Sequence, residues 1–383
     1  MGKLANLLFK EEREKEIRYI LSIDGGGMRG IIPAYVISRL DELLKEKGIR
    51  RPLYSFFDLV AGTSTGALLA LGLTAPGGTG NLIKEDAEPY PVYTTEKKGL
   101  FRRPESRFEG YIMPSTAPSS LLDIYLRHGE RIFPKSVLSV FNQIFQQKYD
   151  IRPFETFLSE YLGDARLDSL LVPTIAVSYD PIRTRPFLFK SYESHGFLMR
   201  EAARASTAAP LYFPPYHTKD RESGDELTLS DGGLVANNPA MIAYIEAKKL
   251  YPEADEFHIL SLSTCKRAFS FDPGKAAGGA APWLMNITKI YSNAQESLVS
   301  DEIRNMSDVS YLRIHSPISE KRIALDDTSK ESIMTLLEGG KRAYDAKKDE
   351  IALFVDEMTG KKGFDNIRLS ETSGSLPLIS HNY

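Results

Sequence analysis

The sequence predicts an α/β fold with a central, mostly parallel sheet flanked by helices, and three observations carry that prediction. Short runs such as DLVAG, TIAVS and HILSLS are apolar without alternation, as strands buried on both faces must be. Amphipathic segments such as PAYVISRLDELLKEKG and NPAMIAYIEAKKLYP stand between such runs, the order expected of a sheet covered by helices. The 383 residues are 42% hydrophobic and 26% charged, an ordinary globular composition with enough length for a sizeable core.

In chain order, strands are expected at 19–24, 58–62, 173–179, 187–192, 226–230, 257–263 and 309–315, where apolar and β-branched residues gather between turn signals. The first helix has Pro33 near its start and Gly48 at its end, residues suited to those two positions. Residues 76–119 break the rhythm with Gly77, Gly78, Gly80, Pro89, Pro91, Pro104, Pro114 and Pro118, and read as a loop-like insertion. Residues 272–282, DPGKAAGGAAP, read as a flexible connector. Beyond it, helices with apolar positions at Leu284, Ile287, Ile290, Tyr291, Ala294 and Leu298, then Ile333, Leu336 and Leu337, are expected to cover one side of the sheet. Trp283 at the start of the first of these is expected in the core. The chain thus divides into a core at 17–265, a packed extension at 266–358 and a polar, mobile tail at 359–383.

A formal net charge of −3 gives no electrostatic footprint for DNA, RNA or an anionic membrane taken as a whole, so any membrane contact must be local. The single cysteine, Cys265, excludes an intrachain disulfide framework and a multi-cysteine metal site, and reads as a small core residue in a reducing cytosol. The N-terminal MGKLANLLFKEEREKEIRYI lacks the apolar core of a signal peptide. GALLALGLTA is about half the ~20 residues needed to span a bilayer. A cytoplasmic protein is expected.

The stretch LSIDGGGMRG, residues 21–30, brings the backbone close to something. A nucleotide is one candidate, because Gly25, Gly27 and Gly30 satisfy G-x-G-x-x-G between a strand and a helix. A dinucleotide fold also wants an acidic residue ending the second strand, and FFDLVAG ends in glycine. The next residues decide more. GTSTG, from Gly62 to Gly66, is G-x-S-x-G between an apolar strand and the helix TGALLALGL, the context in which a tight turn lifts a serine hydroxyl above a sheet. Ser64 is the candidate nucleophile, although such patterns also cap helices. A developing oxyanion then needs donors, and the amides of Gly25, Gly26 and Gly27 at a helix N-terminus, with the charge of Arg29 beside them, offer them. The base is either a histidine, with His195, His217, His258 and His315 as candidates, or Asp231 in TLSDGGLVANNP, a position that is often structural.

Taken together, DGGGMRG, GTSTG and SDGG in that order resemble the patatin-like phospholipase family. LSIDGGGMRGIIP, LRHGERIF, STAAPLYFPPY, LSDGGLVANNPA and ILSLST extend the resemblance over roughly residues 17–265. It implies a three-layer fold and a lipid acyl hydrolase of the phospholipase A or lysophospholipase kind, acting on a phospholipid or lysophospholipid at the inner face of a membrane. It implies Ser64 as nucleophile, Asp231 as base, Gly25, Gly26, Gly27 and Arg29 around the oxyanion, and neither metal nor cofactor. Ala67 stands where the family often has glycine, a small change in the elbow helix. The long insertion resembles bacterial members, including cyclic-dinucleotide-activated phospholipases of antiphage defence. Arg102, Arg103 and Arg107, with Phe101, Tyr93 and Phe108 nearby, combine charge and stacking as a site for such an activator would, and activation could act through a homo-oligomer. The alternatives are an esterase with a histidine triad and a nucleotide-binding module.

Overall fold

The computed structural model describes residues 15–96, 105–133, 149–193, 196–210, 212–264, 280–315, 323–361, 363, 367–371 and 373. β1 (Ile17–Ile23) runs through a 3-10 turn at Gly27–Gly30 into α1 (Ile31–Glu46), and β2 (Leu59–Thr63) turns directly into α2 (Thr65–Thr74). The antiparallel pair β3 (Tyr90–Glu96) and β4 (Glu105–Ile112) precedes α3 (Pro118–Ile132) and α4 (Arg152–Leu162). Next come β5 (Thr174–Asp180), β6 (Arg185–Lys190), α5 (Met199–Ser206), β7 (Tyr216–Lys219), β8 (Glu226–Asp231), α6 (Ala240–Leu250) and β9 (Glu256–Leu262). The last third supplies α7 (Ala280–Arg304), β10 (Val309–Ile314), α8 (Lys330–Asp345), α9 (Lys348–Lys361) and β11 (Leu369–Ser370).

The main sheet has the order β10-β9-β1-β2-β5-β8-β7, with β6 also paired to β5. From β10 to β5 every pairing is parallel, and the strands at the far end are antiparallel. Alternation along β1 sends Tyr19, Leu21 and Ile23 into one core with Leu40, Leu69 and Leu336. Ile20 goes into a second core on the other face, with Ala61, Ile175, Ala243 and Ile303. Each such large side chain contributes ~1.5–3 kcal/mol when fully buried, so a one-residue slip of the central strand is heavily penalised. The result is three layers, with α1, α2 and α8 on one face of the sheet and α6 and α7 on the other. β10 is an edge strand of the main sheet, so the extension completes the core in addition to packing on it.

Three expectations are corrected. Among the described residues of the insertion at 76–119, β3 and β4 form a small sheet with β11, and Pro91, which cannot donate to a ladder, sits in the edge strand β3. Part of the expected tail is held, because residues 359–361 end α9, Leu369 and Ser370 pair with β4, and the Arg368 amide donates to the Leu171 carbonyl at 3.2 Å. The two late helices take different faces, with Leu336 of α8 in the core beside α1 and Ile303 of α7 in the opposite core. On α7 itself, Trp283, Ile287, Tyr291 and Leu298 are exposed and do not cover the sheet. Cys265 and the connector up to 279 lie outside the described residues.

Candidate active site

The turn from β2 into α2 puts Ser64 at φ 53 and ψ −120, a left-handed conformation that an L-residue adopts only under constraint. The glycines on either side make it possible. A β-carbon on Gly62 would lie 2.1 Å from the Gly66 carbonyl oxygen, and one on Gly66 would lie 2.2 Å from the Ile23 carbonyl oxygen of β1. G-x-S-x-G is therefore a steric requirement of this elbow. Ala67 is fully buried in the same helix turn.

Sheet register brings the second functional group. Thr63 of β2 faces Val177 of β5, and the next β5 residue, Ser178, faces Asp231 at the end of β8. Asp231 thus reaches Ser64 across β5, and the Ser64 hydroxyl donates to Asp231 Oδ2 at 2.7 Å. The Gly233 amide donates to Oδ1 at 2.7 Å. Burial pushes the Asp231 carboxyl up to about 6, against the opposing pull of these two hydrogen bonds. A carboxylate so placed is ionised at neutral pH yet more basic than an exposed one.

The glycine loop divides its roles. The Gly25 amide donates to the Asn237 carbonyl at 3.0 Å, which removes Gly25 from the expected set of oxyanion donors. Gly26 and Gly27 line the cavity beside Ser64, and among the described residues their amides meet no acceptor. Gly27 sits at φ 59, where the loop turns into α1, so the N-terminal end of a long helix dipole points at this place. Arg29 also lines the cavity, and its Nε donates to the Gly26 carbonyl at 3.2 Å, bracing the loop. The cavity holds about 270 Å³. Its inner wall is apolar, with Leu68, Ile132, Phe133, Phe154 and Phe213.

Some participants carry no motif of their own. Ser206 accepts the Ser64 amide at 2.9 Å and donates to the Val177 carbonyl, fixing the elbow to β5; it lies in the STAAPLYFPPY block, the one signal that could have pointed to it. Asp24, just before the glycines, is buried and gripped by Arg313 of β10, whose Nη1 lies 2.7 Å from Oδ1. Arg313 also reaches Glu296 of α7 at 3.1 Å. Burial alone would lower the Arg313 pKa, and the Asp24 carboxylate more than reverses that, so the guanidinium stays charged. The Met28 amide donates to the Leu325 carbonyl at 2.7 Å, so the segment before α8 clamps the loop from outside.

No histidine lines the cavity among the described residues. His217 pairs with Thr228 at 3.0 Å on the sheet edge, His258 on β9 lies beside Glu357 of α9, and His195 is outside the described residues. Arg107 is exposed on β4, 3.5 Å from Glu109, while Phe101, Arg102 and Arg103 also fall outside the described residues.

The family model described as patatin-like phospholipase matches residues 21–244. The chain belongs to the patatin-like phospholipase family. Patatin-like protein 2 of Oryza sativa subsp. indica is 28% identical over 378 residues, covering 87% of this chain and 85% of that protein. Patatin-like protein 2 of Arabidopsis thaliana is 29% identical over 335 residues, covering 77% and 74%. Patatin-T5 of Solanum tuberosum is 28% identical over 359 residues, covering 85% and 83%. The patatin-like match contains the glycine loop, the elbow and Asp231, and it ends inside α6. Glu296, Arg313 and Leu325, which surround the patatin-like site, come from beyond the matched stretch.

Proposed function

We propose that this patatin-like protein is a lipid acyl hydrolase that cleaves carboxylic esters of phospholipids or lysophospholipids through a Ser64–Asp231 dyad. The observation that carries the reading is the 2.7 Å hydrogen bond from the Ser64 hydroxyl, held at positive φ, to a buried carboxylate at the mouth of an apolar cavity. Asp231 Oδ2 takes the hydroxyl proton as Ser64 Oγ bonds to the ester carbonyl carbon. The charge that develops on the carbonyl oxygen is received by the Gly26 and Gly27 amides. Collapse breaks the ester C–O bond, and the leaving alcohol takes the proton from Asp231. A water, deprotonated by Asp231 in its turn, adds to the acyl-Ser64 carbonyl and releases the fatty acid and the free serine. The acyl chain lies against Leu68, Phe133, Phe154 and Phe213.

An activating cyclic dinucleotide stays outside this reading, because of its three proposed arginines only Arg107 is described, and that one is paired with Glu109. The test is labelling of the full chain with a fluorophosphonate, followed by peptide mapping, together with release of fatty acid from phosphatidylcholine and lysophosphatidylcholine. Wild type is expected to carry the label on Ser64 and to release fatty acid, and Ser64→Ala to do neither. A label on another residue would overturn the assignment.

A further inference from the structure

We propose that α7 docks this protein on a zwitterionic lipid bilayer through the outward stripe Trp283, Ile287, Tyr291 and Leu298, on a helix whose inner side lines the catalytic cavity. The proposal rests on the hydrolase reading above. Each residue advances about 100° around a helix, so these four side chains fall within about 80° of one another, on a single face. They are 45–58% exposed. Of the twelve large apolar side chains exposed among the described residues, these four share one helix, and a fifth, Leu234, is hydrogen-bonded to it: the Tyr291 hydroxyl donates to the Leu234 carbonyl at 2.8 Å. Scattered exposed apolar residues need no explanation, but a contiguous row marks an interaction surface.

The position of the row chooses the occupant. Ser292, Asn293 and Glu296, on the inner side of the same helix, line the cavity, and so does Leu234. Leu234 is both exposed and part of the cavity lining, and Tyr291 is bonded to it, so whatever covers the stripe there sits next to an exposed part of the cavity wall. A tightly bound protein there would obstruct a lipid, whereas a bilayer would present one. The chemistry agrees, since tryptophan and tyrosine with aliphatic neighbours are the side chains that settle at a membrane–water boundary. None of the four is charged, and the stripe runs on into exposed Asp301 and Glu302, so anionic head groups gain nothing from this face. Attachment by apolar insertion, insensitive to salt, is the expected mode.

Trp283 is the single tryptophan of the chain, so its fluorescence reports on the stripe alone. The experiment adds vesicles of phosphatidylcholine, with and without brominated acyl chains, to the full-length Ser64→Ala protein at low and high salt. A blue shift, quenching by bromine and persistence at high salt are expected. In otherwise wild-type protein, Ile287→Glu with Leu298→Glu should raise the vesicle concentration for half-maximal hydrolysis by about tenfold or more. Hydrolysis of a short soluble ester by the same variant should not change, which also shows that it is folded. Unchanged Trp283 emission overturns the proposal, as does binding that requires anionic lipid and vanishes in salt. Light scattering that finds a dimer, split by the two glutamates and indifferent to vesicles, would assign the stripe to a second copy of the chain and overturn it as well. If wild type fails on the soluble ester, the hydrolase reading falls, and Trp283 quenching in the Ser64→Ala protein still decides the docking.

Discussion

Replacing Asp231 with asparagine should abolish hydrolysis and stabilise the protein, and the gain should appear only as pH rises. The carboxyl is 6% exposed, and burial lifts its pKa from 3.8 to about 6. A folded-state pKa above the unfolded one means that the native state holds the proton more tightly. That advantage is complete below 3.8, fades between 3.8 and about 6, and is gone above. At about 1.4 kcal/mol per unit of pKa difference, the ionised carboxylate costs the wild type about 3 kcal/mol at neutral pH. Asparagine escapes this charge term. Its oxygen can still accept from the Gly233 amide, and its nitrogen can donate to Ser64 Oγ, which as a hydroxyl oxygen is also an acceptor. Small differences in hydrogen-bond quality, about 1 kcal/mol, do not depend on pH.

The assay is chemical denaturation of both proteins at pH 4, 5, 6 and 7, conditions chosen to span the titration, with a check that the denaturant slopes agree. The stability difference should be small at the acid end and favour Asp231→Asn by about 3 kcal/mol at the neutral end. Wild-type kcat/KM should meanwhile rise about tenfold per pH unit below the Asp231 pKa and level off above it. A stability difference that stays constant across the range would refute the argument that this carboxylate is held ionised at the expense of the fold.

Other outcomes follow from the same geometry. Gly62→Ala forces a β-carbon against the Gly66 carbonyl and should cost about 2–3 kcal/mol in denaturation, with slower fluorophosphonate labelling of Ser64. Arg313→Met leaves Asp24 buried without its partner and should destabilise by about 3–5 kcal/mol, while Asp24→Asn combined with Arg313→Met should recover most of that; equal losses would show that the two are not coupled. Alanine at His217 or His258 should leave kcat/KM within about threefold of wild type, against a loss on the order of 10⁴ or more for Ser64→Ala, and a histidine variant as inactive as Ser64→Ala would restore the triad.

The features legible in the sequence are those whose physical requirement is local. A strand buried on both faces is apolar over most of its length without strict alternation, and β1, β2, β5 and β9 announce themselves that way. The elbow must have glycine at 62 and 66, because other backbone occupies the space of their β-carbons. Asp231 was readable only through the order of motifs, since its meeting with Ser64 depends on register across β5. Glu296, Arg313 and Leu325 meet the site through contacts between residues far apart in the chain, and nothing beside them in sequence signals it, whereas Ser206 had only its STAAPLYFPPY block to point to it. The antiparallel pair β3–β4 was hidden because prolines and glycines read as loop, and the edge strand β3 tolerates Pro91.

Helix α7 shows where periodicity stops being informative. Leu298, Ile287 and Tyr291 repeat at helical spacing, and that spacing proves a shared face without saying what the face meets. The packing supplies the missing half: the opposite side of α7 buries Ile303 and turns Glu296 toward Arg313, so the apolar stripe is left outward. Arg313 in turn grips Asp24, one residue before the glycine loop. A force applied to the outer face of α7 is therefore two ionic contacts away from the oxyanion donors. Ile287→Glu with Leu298→Glu alters only the outward stripe and leaves Glu296, Arg313 and Asp24 in place, so surface attachment is probed on α7 and the geometry of the glycine loop is probed separately at Arg313 of β10.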